Sequence, residues 1–237
     1  MKRVILGFLL IALISCTHNT KPTLLSAEEE YQRAYNYFKK GDYKKSIDLF
    51  KFFFNRHPGS QWVDDAQFYY SESYYQIHDY TTALQEFQFL INNFPSSKWS
   101  EKALLRKTQC LEEFSPRVQR DQELTKQCLE AYEEFIARYP YSKWIEEAKK
   151  GRDRIQEKLN QKHLEIGEIY MKMGKNEAAK IYLKEVVKKS EKWKNRAYLL
   201  LGDISLSEGK DSLAAFYYGE VNGEFEKEAA KKLEEIQ

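Results

Sequence analysis

Three segments of the chain close on the same turn: His57-Pro58-Gly59-Ser60-Gln61-Trp62, Phe94-Pro95-Ser96-Ser97-Lys98-Trp99 and Tyr139-Pro140-Tyr141-Ser142-Lys143-Trp144. The prolines are 37 and then 45 residues apart, and the tryptophans keep the same two spacings. Ser190-Glu191-Lys192-Trp193 reads as a worn fourth copy. Self-similarity at this period marks a solenoid of stacked helical hairpins, because such a unit buries its apolar face only against its neighbours.

The residues between the turns carry a helical period. Before each proline the expected core stripe reads Tyr43, Ile47, Phe50, Phe54, then Tyr80, Leu84, Phe87, Ile91, then Thr125, Leu129, Tyr132, Ile136, at i, i+4, i+7, i+11. Turns inside the hairpins are expected at Gly41-Asp42, His78-Asp79, Gly174-Lys175 and Gly209-Lys210. Ser26 with Glu29 has the spacing of a capping box at the first helix start. Each proline stops the helix before it by removing a donor. The register resembles the tetratricopeptide repeat. Ala34 and Ser71 fit its small first-helix residue, Ser46 and Ala83 the small residue where the paired helices approach closely, and Gly167, Tyr170, Gly174 and Ala179 restore the pattern further on. The expected fold is all-α, a solenoid of about five tetratricopeptide-like helical hairpins near residues 27–60, 64–97, 101–142, 160–191 and 195–222. Repeat three carries eight extra residues around Phe114 to Gln122. Residues 144–159 read as a helix running into repeat four, and 224–237 as a charged cap.

The N-terminus reads as an address. Met1-Lys2-Arg3 precedes an apolar run from Val4 to Ile14, too short to span a bilayer, which needs about twenty residues. The run ends Leu13-Ile14-Ser15-Cys16, which resembles a bacterial lipobox, with Cys16 as the lipid-bearing residue. The expected organisation is a signal peptide at 1–15, a lipidated tether at 16–25, N-terminal repeats at 26–142, and a connecting helix with the last repeats and cap at 143–237. Thr17, where many Gram-negative sorting rules place an inner-membrane Asp, points to the outer membrane.

Chemistry for catalysis is missing from the pattern. The formal net charge of +2 falls to neutrality once Lys2 and Arg3 are removed, so no basic excess supports nucleic-acid binding. The four histidines, at 18, 57, 78 and 163, have no metal-ligand spacing, and no nucleophile or phosphate-loop motif is present. The expectation is a non-enzyme with no cofactor and no metal. Cys110 and Cys128 fall one per helix of repeat three; either a disulfide or two buried thiols fits. The 17 Tyr and 14 Phe exceed what the hairpin stripes use.

The lipobox, the five repeats and the long third-to-fourth connection together resemble the BamD family, also called YfiO or ComL. The most specific stretch is Ser115-Pro116, Arg120-Asp121-Gln122, then Ala131-Tyr132-Glu133-Glu134-Phe135-Ile136 and Arg138-Tyr139-Pro140-Tyr141-Ser142. The resemblance implies a lipoprotein scaffold of the β-barrel assembly machinery on the periplasmic face of the outer membrane. Its implied partners are a BamA-like barrel assembly protein, held by the C-terminal repeats, and unfolded outer-membrane proteins, received by the N-terminal repeats. The alternative is a repeat scaffold of the Tol–Pal or peptidoglycan-linked type, whose repeats end in similar turns.

Two sets of site residues follow. In tetratricopeptide arrays the first helix of each hairpin lines a groove, and its groove positions here include Tyr31, Tyr35, Phe38, Phe68, Tyr69 and Tyr75. These aromatics are expected to be surplus to hairpin packing and to form a trough for the aromatic C-terminus of a barrel protein. Lys102 and Arg106 match two of the five carboxylate-clamp positions of chaperone-binding repeats; Tyr31, Tyr35 and Tyr69 hold the other three, so a true clamp is absent, and a residual hold on the terminal carboxylate is expected of Lys102 and Arg106. The basic cluster Lys192, Lys194 and Arg196 is expected to face the barrel assembly protein.

Overall fold

The computed structural model describes residues 24–115, 117, 118 and 121–236, so Cys16, Pro116 and Arg120 lie outside the described residues. The described residues form helical hairpins in strict sequence order. The first three are α1 (Ala27–Lys39) with α2 (Tyr43–Arg56), α3 (Val63–Gln76) with α4 (Tyr80–Asn93), and α5 (Ser100–Phe114) with α6 (Glu123–Arg138). The 28-residue α7 (Ile145–Lys172) pairs with α8 (Asn176–Lys189), α9 (Lys194–Ser207) pairs with α10 (Asp211–Gly219), and α11 (Glu226–Glu234) closes the array. Each helix packs mainly on its neighbours in sequence, and the first helices of successive hairpins also touch: α1 with α3, α5 with α7, α7 with α9. No helix among the described residues is long and apolar enough to cross a membrane.

Local chemistry sets the boundaries. Ser26 and Glu29 exchange hydrogen bonds as a capping box at the start of α1. Asp42 and Asp79 cap α2 and α4 through the backbone N–H groups of Lys45 and Thr82, at 3.2 and 3.1 Å. Three of the hairpin turns place a glycine in the left-handed region: Gly41 at φ +80°, Gly174 at +69° and Gly209 at +68°. In the second hairpin His78 takes that place at φ +62°.

The recurring turn explains itself in atoms. In each full copy the serine N–H donates to the carbonyl three residues back, which is His57, Phe94 or Tyr139. The serine hydroxyl oxygen then accepts from the backbone N–H of the tryptophan, at 3.2, 3.2 and 3.0 Å for Ser60, Ser97 and Ser142. Ser190 does the same for Trp193 at 2.9 Å. Every tryptophan is thereby placed at the N-cap of the next first helix, α3, α5, α7 or α9.

The core stripe keeps Ile47, Phe50, Phe87, Thr125 and Tyr132 of the expected one, and it turns away from the rest. Recurring fully buried positions on the second helices are Ser46, Phe50 and Phe53, then Ala83, Phe87 and Leu90, then Cys128, Tyr132 and Phe135, then Ala179, Leu183 and Val186. Phe54, Ile91 and Ile136 instead flank that line, partly buried. The small residue decides the register. It lets α1 and α2 approach until the Ser46 hydroxyl donates to the Ala34 carbonyl at 3.1 Å, and the face that follows it at i+4 and i+7 becomes the interface. Burying each of these large side chains stabilises the array by about 2 kcal/mol.

Cys110 and Cys128 are both free and both buried. They serve different cores: Cys110 lies with Phe87 and Leu90, Cys128 with Tyr132 and Phe135. The disulfide alternative is therefore not what this structure adopts.

Candidate functional site

The row of first helices carries the aromatic residues singled out above, and the structure divides them. Tyr31 and Phe68 are only 5% exposed and belong to the core, which corrects their assignment to a free trough. The reason is the turn tryptophan of the next repeat. Tyr31 stacks on Trp62 with ring centroids 5.0 Å apart, and Phe68 stacks on Trp99 at 4.0 Å. Leu105 and Leu164 hold the same helical position beside Trp144 and Trp193. This position thus seals one repeat onto the next, a contact between residues some thirty apart that hairpin periodicity could not reveal.

Tyr35, Phe38 and Tyr69 remain half-buried and contiguous. Tyr69 lies 4.5 Å from Tyr35 and 5.0 Å from Phe38 by ring centroids, and Trp99 abuts it edge-on at 5.3 Å. Together they make an apolar shelf bridging α1 and α3. Burial and a hydrogen bond to Tyr35 push the Tyr69 phenol well above its ordinary range, so that ring stays uncharged. Tyr75 sits apart, half-buried beside Tyr80. Burial raises its phenol to about 12 against the opposing effect of Arg106, whose guanidinium covers the ring at 4.7 Å.

Lys102 and Arg106 are not free to hold a carboxylate from outside, which corrects the residual role expected of them. Arg106 donates two hydrogen bonds to the buried Glu72 carboxylate, at 2.8 and 2.9 Å, and a third to Gln109 at 2.7 Å. Lys102 pairs with Glu147 at 3.1 Å and lies 5.1 Å over the Trp144 ring. Gln109 also donates to Glu147, at 2.7 Å. Burial lowers the Lys102 ammonium. On Glu147 burial pushes upward, but the bonds from Gln109 and Lys102 leave the carboxyl below its usual range. The result is a polar strap from α3 across α5 to α7. Glu72 neutralises Arg106 and Glu147 neutralises Lys102, with Gln109 bridging the two pairs.

The C-terminal basic residues also separate. Lys194 is paired with Glu191. Lys192 and Arg196 line one cleft of about 480 Å³ with Trp193, Leu164 and Phe225. Arg196 reaches Glu168 at 3.2 Å and covers the Phe225 ring at 5.5 Å, whereas Lys192 is exposed over the Trp193 indole at 4.7 Å. Among the described residues no cluster of His, Cys, Asp or Glu could hold a metal ion.

A model of the YfiO family, described as outer membrane lipoprotein, matches residues 25–200. The chain belongs to the YfiO family. Outer membrane protein assembly factor BamD of Caulobacter vibrioides is 26% identical over 175 residues, which are 72% of this chain and 57% of that relative. The chain therefore spans little more than half the length of this curated relative. Among solved structures, the TPR2AB domain of yeast Sti1, in its pHSP90 complex, aligns at a TM-score of 0.51 with 11% identity, covering 81% of this chain and 75% of that one. At that identity the likeness shows the tetratricopeptide fold alone. A TPR-repeat protein of Bacteroides fragilis aligns at 0.42 with 15% identity, covering 90% and 86%.

Proposed function

We propose that this chain is a non-catalytic scaffold of β-barrel assembly, lipid-anchored through Cys16 at the periplasmic face of the outer membrane. The observation that carries the reading is the family match, which runs from just before α1 into α9. The relative's name as an outer membrane protein assembly factor points the same way. In this reading the N-terminal repeats receive unfolded outer-membrane proteins on the Tyr35–Phe38–Tyr69 shelf. The last repeats, through Lys192 and Arg196 with Lys194 nearby, hold a BamA-like barrel assembly protein.

The shelf suits a terminal aromatic side chain, because half-buried uncharged rings offer stacking without a large desolvation cost. Titration with a C-terminal peptide of a barrel protein tests it. Tyr35→Ala and Tyr69→Ala should each weaken binding about tenfold, the loss of one well-placed aromatic contact. Amidating the peptide should change little, since Lys102 and Arg106 already face Glu147 and Glu72. Unchanged affinity in both variants, with helical content preserved, would remove the shelf from the reading.

A further inference from the structure

The two ends of the array are finished differently. At the C-terminal end α11 lays Ala229, Leu233 and Ile236 against the last hairpin and closes it. At the other end α1 packs on α2 and α3, and no hairpin precedes it among the described residues. A stacked repeat buries its apolar side against a neighbour, so the first hairpin keeps one side open. On α2 that open side is an exposed arc of Lys44, Lys45, Asp48, Lys51, Phe52 and Arg56. Phe52 is 63% exposed at its middle. Beside it a shallow cleft of about 250 Å³ is lined by Glu30 and Arg33 of α1 with Lys45, Leu49, Phe52 and Arg56.

Every charge on this side can be counted. Arg33, Lys44, Lys45, Lys51 and Arg56 stand against Glu30 and Asp48. Glu30 is bound by Arg56 at 2.7 Å and lies 3.3 Å from His57, so it is engaged within the hairpin. Asp48 is the only carboxylate in α2. The excess survives at larger scale. Residues 26–56 carry seven Lys and Arg against five Asp and Glu, whereas residues 57–237 carry three more carboxylates than cations.

We propose that the open side of the first hairpin, through Lys44, Lys45, Lys51 and Phe52, rests on an anionic phospholipid surface and so fixes the orientation of the array on its anchor. The proposal rests on the lipid anchor at Cys16 proposed above. From Cys16 to Leu24 the chain has eight residue steps, at most about 28 Å when fully extended. The first hairpin is therefore the part of the array that the anchor holds against the bilayer. Basic side chains around one exposed aromatic suit that surface, with ammonium groups at the phosphates, lysine stems and ring at the acyl boundary. The other occupants fit worse. Residues 17–23 contain Lys21 and no carboxylate, so the tether cannot neutralise the arc. A second copy on the same side would bring like charges together. The lysine-rich α8 lies three hairpins further from Cys16.

The test is photo-crosslinking of the full lipidated chain in vesicles of equal parts phosphatidylethanolamine and phosphatidylglycerol. The probe is a phosphatidylglycerol analogue with a diazirine in its headgroup, and adducts are mapped by peptide mass. Adducts should concentrate on α2 between Lys44 and Arg56, and be scarce on α8 and around the exposed Phe216 of α10. Lys44→Glu with Lys45→Glu and Lys51→Glu should remove the α2 adducts with helical content preserved, since all three side chains are exposed. Phe52→Ser alone should reduce them. Adducts as frequent on α8 or α10 as on α2 would overturn the proposal, as would α2 adducts that survive the triple charge reversal. The same digest reads the acylation of Cys16 by itself. Where that thiol is found free, coupling it to a maleimide lipid restores the tether, and the same α2 pattern is expected, so failure of the anchor and failure of the contact face are told apart.

Discussion

A left-handed backbone position suits glycine because any Cβ there crowds the next carbonyl, at about 1–2 kcal/mol. Gly41 occupies such a position with open space around it, so strain alone sets the effect of a side chain. Gly41→Ala should cost about 1 kcal/mol in urea denaturation without changing the helical spectrum. His78 bears that strain in the second hairpin, where its Nδ1 lies 2.6 Å from the Tyr80 hydroxyl. A second expectation at this scale concerns the thiols. Burial pushes both Cys110 and Cys128 up to about 12, so at pH 8 only about one molecule in ten thousand carries the reactive thiolate. Iodoacetamide should leave both unmodified in the native chain and modify both after denaturation, read by peptide mass. A pair that stays unmodified after denaturation until a reductant is added would contradict the free-thiol structure.

Between elements, the polar strap and the close approaches set the geometry. Arg106→Met should cost about 3 kcal/mol, because it strands the buried Glu72 charge, whereas Glu72→Met with Arg106→Met together should recover most of the loss. A double variant as unstable as the single one would mean that the pair acts through packing instead. Gly151 of α7 faces the Tyr132 ring so closely that an added Cβ would fall inside it, and the Tyr132 hydroxyl is tied to Glu112. Gly151→Ala should therefore destabilise the α6–α7 contact by about 2–3 kcal/mol, measurable as a lowered urea midpoint. The hairpin order was legible in the sequence because the turn residues are local: proline, serine and tryptophan act within six positions. The last position of the stripe differs, Phe53 in place of Phe54, because apolar residues crowd two sides of α2, where Phe52, Phe53 and Phe54 follow one another. Only the close helix approach at Ser46 picks the inner side, and Phe52 is left exposed. Tyr31 and Phe68 were misread for a related reason. Their partners are the tryptophans of the next repeat, and a single repeat's pattern does not contain them. The pairing of Arg106 with Glu72 is likewise a contact across 34 residues.

At the scale of the whole molecule, a stack of hairpins sealed by tryptophans offers a long surface and no enclosed catalytic centre among the described residues. The Tyr35 shelf lies on the first two hairpins, and the cleft lined by Lys192 and Arg196 lies further along the array. In the function proposed above, such an array holds two chains at once without moving its own core. The most direct test is purification of the tagged, lipidated chain from its native outer membranes after mild cross-linking, with mass spectrometry of the co-purified proteins. The result expected is a BamA-like barrel assembly protein in near-stoichiometric amount, reduced when Lys192 and Arg196 are both changed to Glu. Recovery of Tol–Pal or peptidoglycan-linked proteins in its place, with no barrel assembly protein, would contradict the scaffold assignment.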